Sequence, residues 1–126
     1  MARVLTAYLK RSDVPARSSL QQAIDRLPFA LTLDHDYAPF KTDGYLPCAL
    51  DGEDSGFDLR FADCPALRND GRDVMMTFKW GGDPREEAAA LAVCAALATA
   101  FGAIVQRDGV ALSPDHMLEQ AKGALV

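Results

Sequence analysis

Apolar and polar residues follow two rhythms along this chain, and the switches between them mark out its elements. Arg3 to Leu9 mixes Val4, Leu5, Thr6, Tyr8 and Leu9 without a strict period and predicts an opening strand. Ser12 and Asp13 then lead into a helix. Ala16, Leu20, Ala23, Ile24 and Leu27 fall at helical spacing and build one apolar face, with Gln21, Gln22, Asp25 and Arg26 outside it. Pro28 ends that helix, and Phe29 to Leu33 is a second strand candidate running into the polar, turn-like segment Asp34-His35-Asp36-Tyr37-Ala38-Pro39.

Gly44 to Phe61 predicts two strands joined by an acidic turn, Asp51-Gly52-Glu53-Asp54-Ser55-Gly56. In the second of these strands Phe57, Leu59 and Phe61 face one way and Asp58 and Arg60 the other, as a half-exposed antiparallel strand requires. Pro47 lacks a backbone donor, which assigns the first to a sheet edge. Ala62 to Arg72, with Cys64-Pro65 and Asn69-Asp70-Gly71, reads as a loop.

The rest of the chain is organised around an alanine-rich helix. Asp73 to Trp80 is apolar, β-branched and aromatic and predicts a strand that Gly81-Gly82 ends. Asp83 suits the N-cap, Pro84 the first helical position, and Glu86 completes a D-x-x-E capping box. From Pro84 to Phe101 the helix is apolar nearly all the way round, so several of its faces must be covered, and Gly102 supplies the left-handed stop. The uncharged run Ala88 to Val105 matches the lower limit of a membrane span, but its alanines gain little on insertion and Gly102 interrupts it, so the expectation is a core helix. Ala103 to Gln106 and Val110 to Leu112 form a hairpin about Arg107-Asp108-Gly109. Ser113 and Pro114 start a short helix whose apolar or semi-polar face is His116, Met117, Leu118, Ala121 and Leu125.

Runs of adjacent strands interrupted by two main helices indicate an α+β fold. The expectation is one mostly antiparallel sheet with two main helices and a short C-terminal helix on one face, in a single domain spanning residues 1–126. With 49% hydrophobic and 25% charged residues the composition is that of a soluble globular protein. The N-terminal residues carry no signal-peptide pattern and three cysteines without a C-x-x-C pair fit reduced thiols, so the expected compartment is the cytoplasm.

Charge changes this picture locally. Of the net −5, the segment Asp34 to Asp63 contributes eight acids (Asp34, Asp36, Asp43, Asp51, Glu53, Asp54, Asp58 and Asp63) against Lys41 and Arg60. A field of that sign disfavours nucleic acid and favours a basic partner or a cation. The turn from Asp51 imitates the start of a calcium loop, but its twelfth position is Ala62 and its flanks are strands. Asp34-His35-Asp36 offers metal-ligand types, yet neighbouring side chains of an extended segment point apart. Cys94 reads as a core residue, while Cys48 and Cys64 lack the electropositive setting of a nucleophile. At the mouth of the long helix Asp83, Glu86 and Glu87 already occupy the positive dipole end, which disfavours a phosphate site. No cofactor or metal is expected.

GYLPCALDGEDSGFDLRF, the helix, and then GAIVQRDGVALSPDHML resemble patterns in small uncharacterised bacterial proteins of immunity or interaction type. The resemblance covers the chain from Gly44 on, rests on strand, turn and helix-stop residues, and implies a non-enzymatic binding role without assigning any residue. The functional expectation is therefore a small cytosolic binding protein whose acidic surface engages a basic protein partner. Asp34, Asp36, Asp51, Glu53, Asp54 and Asp58 would supply the charge and Tyr37, Phe40 and Tyr45 the aromatic anchors. Burial of these aromatics in the core is the competing expectation. The alternative function is a small metal-dependent hydrolase using Asp34, His35, Asp36 and the Asp51 to Asp58 acids. The edge at Gly44 to Leu50 also offers a second copy of the chain a strand to pair with.

Overall fold

The structure is a computed structural model that describes residues 3–66 and 70–126. Its elements are β1 (Val4–Leu9), α1 (Arg17–Ile24), β2 (Leu31–Leu33), β3 (Gly44–Leu50), β4 (Glu53–Asp63), β5 (Val74–Lys79), α2 (Pro84–Phe101), β6 (Ile104–Arg107), β7 (Val110–Leu112) and α3 (Pro114–Ala124). The seven strands form one sheet in the order β2-β3-β4-β5-β1-β6-β7, antiparallel at every junction. The protein is therefore an α+β fold, as the order of the predicted elements indicates.

β5 and β6 both run antiparallel to β1 and lie on either side of it. They are thus parallel to one another, and α2 carries the chain between them in a split β-α-β arrangement. Ten consecutive residues of this helix, Ala88 to Leu97, are buried. Only a helix made mostly of alanine can sink this far, because small side chains let its backbone approach the sheet and the flanking helices at once. The sheet face beneath is formed by alternate residues, among them Leu5, Leu9, Leu46, Leu50, Phe57, Leu59, Met76 and Phe78, all essentially unexposed. On the opposite face Thr6, Tyr8, Met75, Thr77, Ile104 and Gln106 are half-buried and Tyr45, Pro47, Asp54, Arg60 and Lys79 are exposed. No helix crosses the membrane-spanning threshold of length and apolarity among the described residues.

Local chemistry explains the boundaries. Asp51 and Gly52 have φ of 52° and 81°, and Asp108 and Gly109 have φ of 54° and 76°. Both pairs are two-residue turns with two positive φ values, the geometry that matches strand twist. The acidic turn is consequently shorter than the sequence suggests, and Glu53 to Gly56 belong to β4. Ala62 and Asp63 also extend β4 rather than starting the loop, while Asn69 of that loop lies outside the described residues. Ser12 and Asp13 sit in a separate 3-10 turn, so α1 begins only at Arg17, with no capping side chain at Ala16. In α3 Met117 and Ala121 are buried but His116 is exposed, off the apolar face.

Pro47 requires a correction. β3 is an interior strand, because β2 pairs with it from Cys48 to Leu50. β2 is only three residues long, and the Asp34 N–H donates to the Pro47 carbonyl just past its end. The missing donor therefore faces the part of β3 that β2 does not reach, where it costs no ladder bond. The outer side of β2 is closed in turn by α1. Gln21 donates from its side-chain amide to the Leu31 carbonyl and accepts from the Leu33 N–H, both at 2.8 Å. Arg17 donates to the Leu33 and Asp34 carbonyls.

Candidate functional site

The first turn of α2 is fastened to the β3–β4 hairpin. Arg85 donates from its guanidinium to the Leu50 carbonyl, and its Nε lies 3.4 Å from the Glu53 carboxylate. Asp83 caps the helix by accepting from the Arg85 N–H at 2.9 Å. Glu86 does not close the expected capping box onto Asp83. It reaches further back and accepts from the Gly81 N–H at 3.2 Å, which holds its carboxylate over the turn that follows β5.

This docking surrounds one exposed aromatic with acids. Tyr45 is 59% exposed and stands opposite Asp58 in the ladder. Its ring lies across Gly56, and its hydroxyl donates to the Ser55 carbonyl at 3.1 Å. Gly56 has φ of 156°, and a Cβ there would strike the Tyr45 ring and come within 2.7 Å of the Leu46 carbonyl. Glycine is the residue that leaves room for the ring. Partial burial raises the Tyr45 pKa, and the charges of Glu86, Asp54 and Asp83 raise it further. A cleft of about 190 Å³ opens beside the ring, lined by Asp58, Lys79, Trp80 and Glu86 among others.

A second cleft of about 250 Å³ continues the acidic strip, with Asp34, His35 and Asp54 together at its walls beside Arg17 and Cys48. Of the sequence-predicted acids, Asp34 and Asp54 thus line one cleft and Asp58 the other. Asp51 marks the hairpin tip, Glu53 is engaged by Arg85, and Asp58 accepts from Arg60 at 3.0 Å. Asp36 is exposed in the loop, where its N–H is bonded by the Asp34 carboxylate. Among the described residues no three His, Cys, Asp or Glu side chains are grouped closely enough to hold a metal ion.

The aromatic anchors separate. Tyr37 is 4% exposed and its hydroxyl donates to the Pro15 carbonyl at 2.9 Å, so it is a core residue and leaves the predicted surface. Phe40 is 41% exposed in a left-handed conformation, its ring 5.7 Å from that of Phe61 and 4.9 Å from the Arg11 guanidinium. Only Tyr45 combines exposure with a carboxylate surround. Glu86, Asp83 and Trp80 complete the site; in sequence the first two mark the start of α2 and the third follows the end of β5.

No protein-family model, curated protein or solved structure matches the chain.

Buried thiols and a buried tyrosine make stability depend on alkaline pH. Burial pushes the Cys48 thiol from 9.0 up to about 11, helped by the Glu86 charge and opposed by a contact with Ser55. Burial also raises Cys94 and the Tyr37 hydroxyl. The native state holds protons that the unfolded chain sheds, so stability is complete below pH 9 and falls as pH rises from 9 to 11. Cys48 contributes at most about 1.4 kcal/mol per pH unit in that window. Urea midpoints measured from pH 7 to 10.5 should be level and then decline, and Cys48→Ala should decline less steeply than wild type.

Proposed function

We propose that the chain is a small non-enzymatic binding protein that engages a basic protein partner through its acidic end. The single observation that carries this reading is the exposed Tyr45 ring set among the Asp54, Asp58, Asp83 and Glu86 carboxylates. A fixed aromatic contributes contact area at little entropic cost, while surrounding charge speeds encounter and selects the partner. The sequence resemblance to bacterial immunity and interaction proteins points the same way. Three cysteines without a disulfide accord with a cytoplasmic setting. The net negative strip argues against nucleic acid as the partner.

The test is capture from the source cell's lysate at low and moderate salt. Wild type is compared with a variant carrying Asp54→Lys, Asp58→Lys and Glu86→Lys, and with Asp115→Lys as a surface control on α3. Circular dichroism and urea midpoints establish that all remain folded. A basic protein retained by wild type and by the control, weakened by salt and lost from the triple variant, supports the reading. Identical retention by all three, or none by any, overturns it.

A further inference from the structure

We infer that the Tyr45 cleft seats an arginine side chain of the partner, its guanidinium stacked on the exposed tyrosine face and answered by the Glu86 and Asp58 carboxylates. This rests on the reading of the acidic end as a surface for a basic partner, and it specifies the chemistry by which one residue of that partner is recognised. The ring is a prepared platform: one face lies on Gly56, the hydroxyl is tied to the Ser55 carbonyl, and the residue is still 59% exposed. A planar cation placed on the ring meets a platform already held in place, and at Asp58 it shares a carboxylate that also accepts from Arg60.

Charge complementarity fixes the occupant. Asp54, Asp58, Asp83 and Glu86 gather about the ring and cleft, and Lys79, across the ladder from Asp58, is the base that lines the cleft with them. The protein builds the same contact internally at two other rings. The Arg11 guanidinium lies 4.9 Å from the Phe40 ring centroid and that of Arg107 lies 5.4 Å from Trp80, each with a carboxylate beside it, Asp63 and Glu87 respectively. Tyr45 presents a ring and carboxylates in the same combination with its outer face open to solvent. Arginine suits this better than lysine, because a flat, weakly hydrated guanidinium stacks on a ring while its edge N–H groups bond carboxylates.

The experiment titrates the folded protein with three hexapeptides, all-arginine, all-lysine and all-citrulline, and follows backbone amide resonances by NMR. Expected is binding of both cationic peptides, with arginine about three- to tenfold tighter than lysine and citrulline silent. The Gly81, Glu86 and Asp58 amides should move most. Tyr45→Ala should equalise arginine and lysine while keeping general binding of both, and Tyr45→Phe, which retains the ring, should keep the preference. Equal affinity of the two peptides for wild type, or an arginine preference that survives Tyr45→Ala, overturns the seat and leaves the basic-partner reading standing. Failure of both cationic peptides to bind wild type overturns that reading and the seat together.

Discussion

Phe78→Ala is expected to destabilise the protein by about 3–5 kcal/mol, a large share of the roughly 5–15 kcal/mol available to a domain of this kind. Phe78 is 0% exposed at the middle of the sheet, paired with Leu5 on one side and Leu59 on the other. Its ring meets Phe57 at 5.3 Å between centroids with the planes tilted by 54°, so truncation forfeits an aromatic pair as well as buried area. Relaxation cannot recover much of this loss. The layer above is built on an alanine helix whose short side chains have no reach with which to fill a void, and strand neighbours are held by the ladder. Urea denaturation measures the cost, and Phe78→Leu, which restores most of the volume, should lose less than half as much. Equal losses would mean that the site tolerates a cavity and that the packing argument fails.

Glu87→Ala is the second large effect expected, about 2–3 kcal/mol, and it acts through a residue it leaves intact. Arg107 is 7% exposed, buried on β6 between the starts and ends of other elements. Its Nη1 donates to Glu87 at 3.3 Å on α2 and to Gln120 at 3.0 Å on α3, and its guanidinium lies against Trp80 after β5. Removing the carboxylate takes the facing anion from a guanidinium that is only slightly exposed, while Gln120 and the indole stay in contact. The cost is that of losing an ion pair at a nearly buried cation. Replacing both groups, Arg107→Met with Glu87→Leu, should return most of the stability lost by Glu87→Ala alone. A double-mutant cycle in urea decides the matter: additive losses would show that the two side chains do not share this energy.

Much of this architecture is written in local chemistry that a single sequence exposes. Asp83, Pro84 and Gly102 bound α2 because capping and left-handed stops depend on neighbours a few residues away. The Asp-Gly pairs at 51–52 and 108–109 mark the two tight hairpins for the same reason. What depends on distant pairing was not legible. Pro47 suggests an edge, and only the arrival of β2 against Cys48 to Leu50 makes β3 interior. Tyr37 and Tyr45 sit eight residues apart amid the same acids, yet Tyr37 is buried because its hydroxyl finds the carbonyl of Pro15, 22 residues earlier. The alternation of Tyr45, Pro47 and Ala49 with Leu46, Cys48 and Leu50 does hold the clue that Tyr45 faces outward. Glu86 and Asp83 join the site where Arg85 fastens α2 to the β3–β4 hairpin by way of the Leu50 carbonyl, 35 residues earlier.

The closure of β2 by Gln21 has a consequence for how the molecule behaves in a crowd. A sheet recruits further sheets through the unanswered amides and carbonyls along its borders, and growth without limit requires two such borders on every unit. Here the β2 segment of one border is sealed from within, since a glutamine amide and an arginine take the positions that a neighbouring chain's backbone would claim. The other border, at β7, is three residues long. Covering that β2 segment removes positions along which a second copy could add, and Gln21→Ala would uncover them.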